Sequence, residues 1–335
     1  MVPLWDDVNA RVRGLTGHLL GRQALGDLAD LPDLQAVARR LGELGIDTTG
    51  DTSPAGLELA VRRAAAGQVR LLARWLGNRT SLLRVILEDE DRRSVRALLR
   101  GAVAGAPAAA RLAGLLPTPS LPERLLEELS HQLRARDVAA LLTVWRHPFG
   151  SPLLAPTASD HPDLFVVEHT LDHAFAGRAV EGAARGGGAL RAYVADQVDL
   201  ANVATALAVA ASSVERSVED LFLPGGRRLS LERYAAAAAA DVRGAAAILA
   251  GAFDGPRAAL LRLHAGEPTL LERVLLADRI QTLGRQTLED PLGPALTLRY
   301  FLQLRAQSIA LRAAIWGAAL GAPPAVRRGR LAQAV

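Results

Sequence analysis

His169 and His173 stand four residues apart, with Asp172 beside the second. On a helix that spacing puts both imidazoles on one face, where two neutral nitrogens can grip a divalent metal. The adjoining acid resembles the H-x-x-E-H pattern of zinc hydrolases. The acid is Asp rather than Glu, and the spacing supplies no third ligand: His161 lies across Pro162, and Glu168 points to another face. A solvated polar helix face accounts for the same residues, so a metal-dependent hydrolase built on His169 and His173 competes with a plain surface. Gly186-Gly187-Gly188 imitates a phosphate loop, but no strand precedes it, and it reads as a helix stop. Gly150-Ser151-Pro152 lacks the last glycine of a nucleophile elbow. All 39 basic residues are arginine, so no lysine can contact a nucleotide phosphate or form a Schiff base. Without cysteine there is no thiolate nucleophile, disulfide or Cys-ligated cluster, which fits a reducing cytoplasm. No catalytic constellation results, and no cofactor is expected.

A different regularity runs through the chain. Asp91-x-x-Ser94-Val95-Arg96 recurs as Asp199-x-x-Asn202-Val203-Ala204 and as Gln307-x-x-Ala310-Leu311-Arg312, each copy 108 residues after the last. The outer copies continue together: Arg96-Ala97-x-x-x-Gly101-Ala102-x-x-Gly105-Ala106-Pro107 against Arg312-Ala313-x-x-x-Gly317-Ala318-x-x-Gly321-Ala322-Pro323. A period this long exceeds solenoid repeats and implies three related small domains. Breakers fall where the period predicts, at Pro117-Thr118-Pro119 and Leu223-Pro224-Gly225-Gly226. The units are therefore expected at 1–116, 117–222 and 223–335. Asp91, Asp199 and Gln307 should occupy equivalent positions about one approximate axis. Polar residues in the motif either bridge neighbouring helices or line a shared central surface. The apolar Val95, Val203 and Leu311 beside them favour the first.

The elements that carry this motif should be helices. Half the residues are hydrophobic, only 4% are aromatic, and Ala and Leu dominate, which favours helix over strand. Val95, Leu98, Leu99, Ala102 and Val103 form one apolar stripe flanked by arginines. Leucines from Leu125 continue that periodicity to Trp145, with Ser120 and Glu123 as a capping box. Ser53-Pro54 marks another helix start, and only Leu164-Phe165-Val166-Val167 looks strand-like. The four tryptophans are scattered and should pack. A net charge of +4 is too small for a dedicated nucleic-acid binder. The longest uncharged stretches, such as 313–326, fall short of the roughly 18–20 apolar residues of a membrane span.

Several segments, in order along nearly the whole chain, resemble one family. They are Asn9-Ala10-Arg11-Val12-Arg13, Asp199-x-x-Asn202, Leu223-Pro224-Gly225-Gly226-Arg227, and Asp290-Pro291-Leu292-Gly293 followed by Tyr300, Leu311 and Arg312. Together they resemble the central-stalk C subunit of V-type/A-type rotary ATPases, counterpart of the eukaryotic d subunit. The polar triplet is reduced here to Ser94 in the first unit and to Gln307-x-x-Ala310 in the third. The resemblance implies an all-α, funnel-shaped molecule of three similar helical domains in pseudo-three-fold arrangement. It implies a non-enzymatic adaptor between the rotor shaft subunits D and F and the membrane rotor ring, on the cytoplasmic face of the membrane. It implies no nucleic-acid partner, no small-molecule substrate and no membrane span of its own. A free-standing helical scaffold for another partner is the alternative from a different class.

Overall fold

The computed structural model describes residues 5–77, 80–212 and 217–332. Among the described residues every regular element is helical. Short helices followed by two long ones occur three times. First come α1 (Asp6–Thr16), α2 (Arg22–Asp30) and α3 (Leu34–Glu43), then α4 (Pro54–Leu76) and α5 (Thr80–Val103). Next are α6 (Ala108–Leu112), α7 (Glu123–Ser130), α8 (Ala135–Val144) and α9 (Gly150–Leu154), then α10 (Leu164–Ala184) and α11 (Gly187–Ala210). A 3₁₀ turn (Glu219–Leu221) leads to α12 (Leu231–Ala238), α13 (Val242–Ala250) and α14 (Gly255–His264), then α15 (Pro268–Glu289) and α16 (Ala295–Ala319). Helix α17 (Pro324–Ala332) follows.

Local chemistry sets several of these boundaries. Ser53 caps α4, its hydroxyl accepting from the Gly56 amide at 3.1 Å with Pro54 in the first turn. Three sequence expectations need correction. Leu164-Phe165-Val166-Val167 opens α10 rather than a strand, with the Asp163 carboxylate capping the Phe165 amide at 2.9 Å. There, burial of Val167 and Leu171 outweighs local β propensity. The leucine run ending at Trp145 is two helices, α7 and α8. Ser120 caps neither: its hydroxyl donates to Asp91 at 2.5 Å, leaving Pro122 at the α7 N-cap without a side-chain bond.

Helices α5, α11 and α16 are each packed by the short helices that follow them. Helix α5 meets α6, α7 and α8, and α11 meets α12 and α13. Helix α16 meets α17 and then α2 and α3, from the opposite end of the chain. Long helix α10 lies along α5, and α4 lies along α16. The cores follow these lines. Leu25, Leu28, Val37, Leu41, Leu57 and Val61 are buried with Ala310, Leu311, Ala314 and Ile315. Val203 and Leu207 are buried with Tyr234, Leu249 and Leu275.

The extended match between the outer copies also has a physical cause. Helices α5 and α16 end alike: the Ala106 amide donates to the Gly101 carbonyl at 2.9 Å, and the Ala322 amide to Gly317 at 2.8 Å. Gly105 and Gly321, both at φ +64°, make the left-handed turn that this closure requires. A Cβ on Gly101 or Gly317 would lie 2.6 or 2.9 Å from Cγ of Arg111 or Arg327. Those buried arginines donate to carbonyls at the ends of the next short helices, Arg111 to Ser130 (3.3 Å) and Gln132, Arg327 to Leu31 (2.7 Å). The middle copy has Val209 and Glu219 at these positions.

Candidate functional site

Reading α5, α11 and α16 in the 108-residue register divides them into layers. Nearest their N-termini, Leu82, Leu190 and Leu298 are buried together in one core. The next layers, Val85 with Tyr193 and Phe301, then Ile86 with Val194 and Leu302, belong to the same core. Each is apolar and closed to water, as a packed interior requires.

One turn further on, the register reaches Asp89, Gln197 and Arg305. These three meet. Gln197 Nε2 donates to Asp89 Oδ2 at 3.3 Å, and Arg305 donates to the same oxygen from both terminal nitrogens at 3.3 Å. Arg305 also binds Glu90, and Arg92 binds Asp89 at 2.6 Å. All three register residues are buried. Burial alone would raise the Asp89 pKa, but Arg93, Arg92 and Arg305 outweigh it and hold the carboxyl well below its ordinary range. Glu90 shifts upward: burial dominates, the attraction of Arg305 and Arg93 opposes it, and Asp89 and Asp91 add repulsion.

Past this layer the three helices open to solvent in step. Arg93, Ala201 and Ile309 are half-buried; Arg96 is half-buried while Ala204 and Arg312 are exposed; Arg100, Ala208 and Trp316 are all exposed. The arginines here are braced from α10 and α4. Arg96 reaches Asp172 and lies 3.7 Å from Glu168, which also binds Arg100. Arg312 lies 2.9 Å from Glu58, which accepts from the Trp316 indole at 2.6 Å. Glu58, Glu168 and Glu272 are each the fifth residue of their helices, α4, α10 and α15. The middle copy of the motif has Ala204 where the others have arginine, and Glu272 pairs instead with Arg93 at 2.8 Å.

The motif residues of the same helices bind other segments. Asp91 accepts from the hydroxyls of Thr118 and Ser120, both at 2.5 Å, and lies 3.3 Å from His147 Nε2. Asp199 accepts from the amides of Arg227, Arg228 and Leu229 at 3.0, 3.0 and 3.2 Å. Gln307 accepts from the Leu20 amide at 2.7 Å. Each thus holds the segment entering a set of short helices: α7, α12 and α2. Asn202 exchanges two bonds with the Leu223 backbone, at 2.9 and 2.8 Å. Ser94 and Leu311 are buried. A single neutral bond joins Gln307 to Leu20, so Gln307→Ala is expected to cost about 1 kcal/mol in equilibrium denaturation.

His169 and His173 are neighbours, with ring centroids 6.2 Å apart. Their surroundings are committed elsewhere. His169 Nε2 lies 3.1 Å from the Asp220 carbonyl, and burial lowers the His169 pKa. Asp172 is taken by Arg92 (2.5 Å) and Arg96. Among the described residues no three His, Asp or Glu side chains converge with metal-ligand geometry.

Segments from the two ends of the sequence also meet. Asn9 donates to the carbonyls of Pro291 (3.2 Å) and Gly293 (2.9 Å), joining the opening stretch to the Asp290-Pro291-Leu292-Gly293 turn. Residues 8–329 match the model of the ATP synthase (C/AC39) subunit family. The chain belongs to that family. Among members of the C/AC39 family, it is 30% identical over 327 residues to the V-type ATP synthase C subunit of Thermus thermophilus. The alignment covers 95% of each chain. The same protein from a second strain of that organism matches to the same extent. As a C/AC39 subunit the chain is part of a V-type ATP synthase complex, and its partners are other subunits. Among the described residues no helix is long and apolar enough to cross a membrane.

The register layer of Asp89, Gln197 and Arg305 was missed in the sequence. It sits two residues before the motif, and its three residue types differ. Extending the 108-residue alignment backwards in search of complementary charges would have exposed it.

Proposed function

We propose that this chain is a non-catalytic central-stalk subunit that links the rotor shaft subunits D and F to the membrane rotor ring and transmits torque for ion transport. In this reading its three helical units stand in a pseudo-three-fold, funnel-shaped arrangement, peripheral on the cytoplasmic face of the membrane. The convergence of Asp89, Gln197 and Arg305 supports it. Equivalent residues of copies strung in a row lie a full repeat apart, whereas copies around a common line bring them together. We place the three units at 1–116, 117–222 and 223–335, with α2, α3 and α4 of the first returning to pack on α16.

The observation that carries the reading is the stepwise opening of α5, α11 and α16 from a closed apolar base to an exposed rim. A rotor coupling must be stiff where it bears load, and the apolar layers with the charge layer above them form one packed body. The rim is the surface proposed to receive the shaft. It offers Arg100, Arg312 and Trp316, residue types that dominate interface energetics. In the double variant Arg100→Ala/Trp316→Ala the acids they bind keep a partner, Glu168 with Arg96 and Glu58 with Arg312, so the fold should persist. Its affinity for the D and F subunits is expected to fall about 10–100-fold in a binding titration. Unchanged affinity would place the shaft elsewhere on the molecule. A native chain that forms no complex with D and F would favour the free-standing scaffold.

A further inference from the structure

Helix α5 packs along α10, and α16 along α4, but α11 has no comparable packing with α15. Val203, Ala206 and Leu207 of α11 belong to the same core as Leu271 and Leu275 of α15. Towards the other end the two helices part around a cleft of about 540 Å³, lined by residues of 192–199 and 278–289 and by the Arg227-Arg228 and 253–257 segments. Clefts of this size, roughly 300–1,000 Å³, are typical of small-molecule sites.

Five arginines line the cleft: Arg227, Arg228, Arg257, Arg279 and Arg285. Most of the acids beside them are already engaged. Asp196 is bound by Arg257 and lies 3.3 Å from Arg279. Asp278 holds Arg257 at 2.7 Å, and Asp254 holds Arg228 at 3.1 Å. Asp199 takes three backbone amides. Glu289 remains at the rim. Against it stand Arg227 and Arg285, both exposed and without an acidic partner among the described residues. Deeper in lies Arg279, stacked 4.8 Å over the Tyr193 ring, its side chain 8% accessible. Its Nη2 is buried without a hydrogen-bond partner. An unpaired buried donor is costly, and an acceptor brought by a ligand relieves that cost.

We propose that this cleft binds a small oxoanion of the phosphate class, with Arg279 at its floor and Arg227 and Arg285 at its rim. The planar guanidinium fork suits such oxygens better than any other side chain. The site lies between α11 and α15, away from the rim assigned to the shaft, so it stands or falls independently of the rotor reading.

Calorimetric titration of the full chain with inorganic phosphate, at constant ionic strength, is expected to show saturable one-site binding. Arg227→Ala/Arg285→Ala, which alters only exposed groups, should weaken it at least about tenfold, and Arg279→Gln should abolish it. A parallel titration with ADP identifies the source. Tighter binding than phosphate supports the site as a nucleotide-phosphate site; equal or weaker binding supports it as a site for free phosphate. No saturable heat up to about 20 mM phosphate, a range that captures millimolar affinities, overturns the proposal. So does binding that the double variant leaves unchanged.

Discussion

Replacing Arg305 by Leu is expected to lower the free energy of unfolding by about 3–5 kcal/mol, the usual cost of stranding a buried charge. Arg305 is buried at the meeting point of the three register helices and binds both Asp89 and Glu90. Asp89 keeps Arg92 and Arg93 after the change, so its carboxylate stays compensated. Glu90 loses the guanidinium that opposes its burial, and its already raised pKa must rise further. The pH dependence follows from that direction. A carboxyl with a raised folded pKa favours the fold while protonated, and this advantage is lost as pH rises through the folded value. The deficit of Arg305→Leu should therefore be larger near about pH 8 than near about pH 5. Asp89 works in the opposite sense. Its depressed pKa gives stability above the unfolded value that disappears as pH falls through the folded one. Urea denaturation at the two pH values measures the difference. A deficit that is small and independent of pH would mean that the layer is not closed to water.

Asp199→Ala comes next, at an expected cost of about 3–4 kcal/mol. Its carboxylate is buried and serves three consecutive backbone amides. Asp91→Ala should cost less, because Thr118 and Ser120 retain each other at 3.1 Å. The expected order in chemical denaturation is Asp199→Ala, then Asp91→Ala, then Gln307→Ala. Asp199→Asn, keeping one acceptor oxygen, should recover part of the loss. A reversed order would show that the three positions do not perform one task with different numbers of bonds.

Helical character was legible because Ala and Leu composition acts locally, and the family because its short motifs are strung along the whole chain. The 108-residue period was legible wherever copies kept the same residues, as with Gly105 and Gly321. It was hidden where copies diverged into complementary partners, as Asp89, Gln197 and Arg305 did. Ser120 illustrates another limit. Its spacing to Glu123 suits a cap, yet a buried carboxylate 29 residues earlier competes for the hydroxyl and wins. Likewise, nothing in the residues 164–167 reveals that the core buries Val167. Such outcomes depend on what tertiary packing brings near, and no local window contains it.

The Gln307 to Leu20 bond, with the shared core of residues 25–61 and 310–318, has a consequence for biosynthesis. A ribosome releases the N-terminal segment first, yet the helices that cover it emerge last. Helices α2 and α3 must wait, their leucines uncovered, for nearly the entire time of translation. The α5–α10 and α11–α15 groups can each begin to pack as their own residues appear. A gene rearranged to begin at α5 would deliver every group in one uninterrupted stretch.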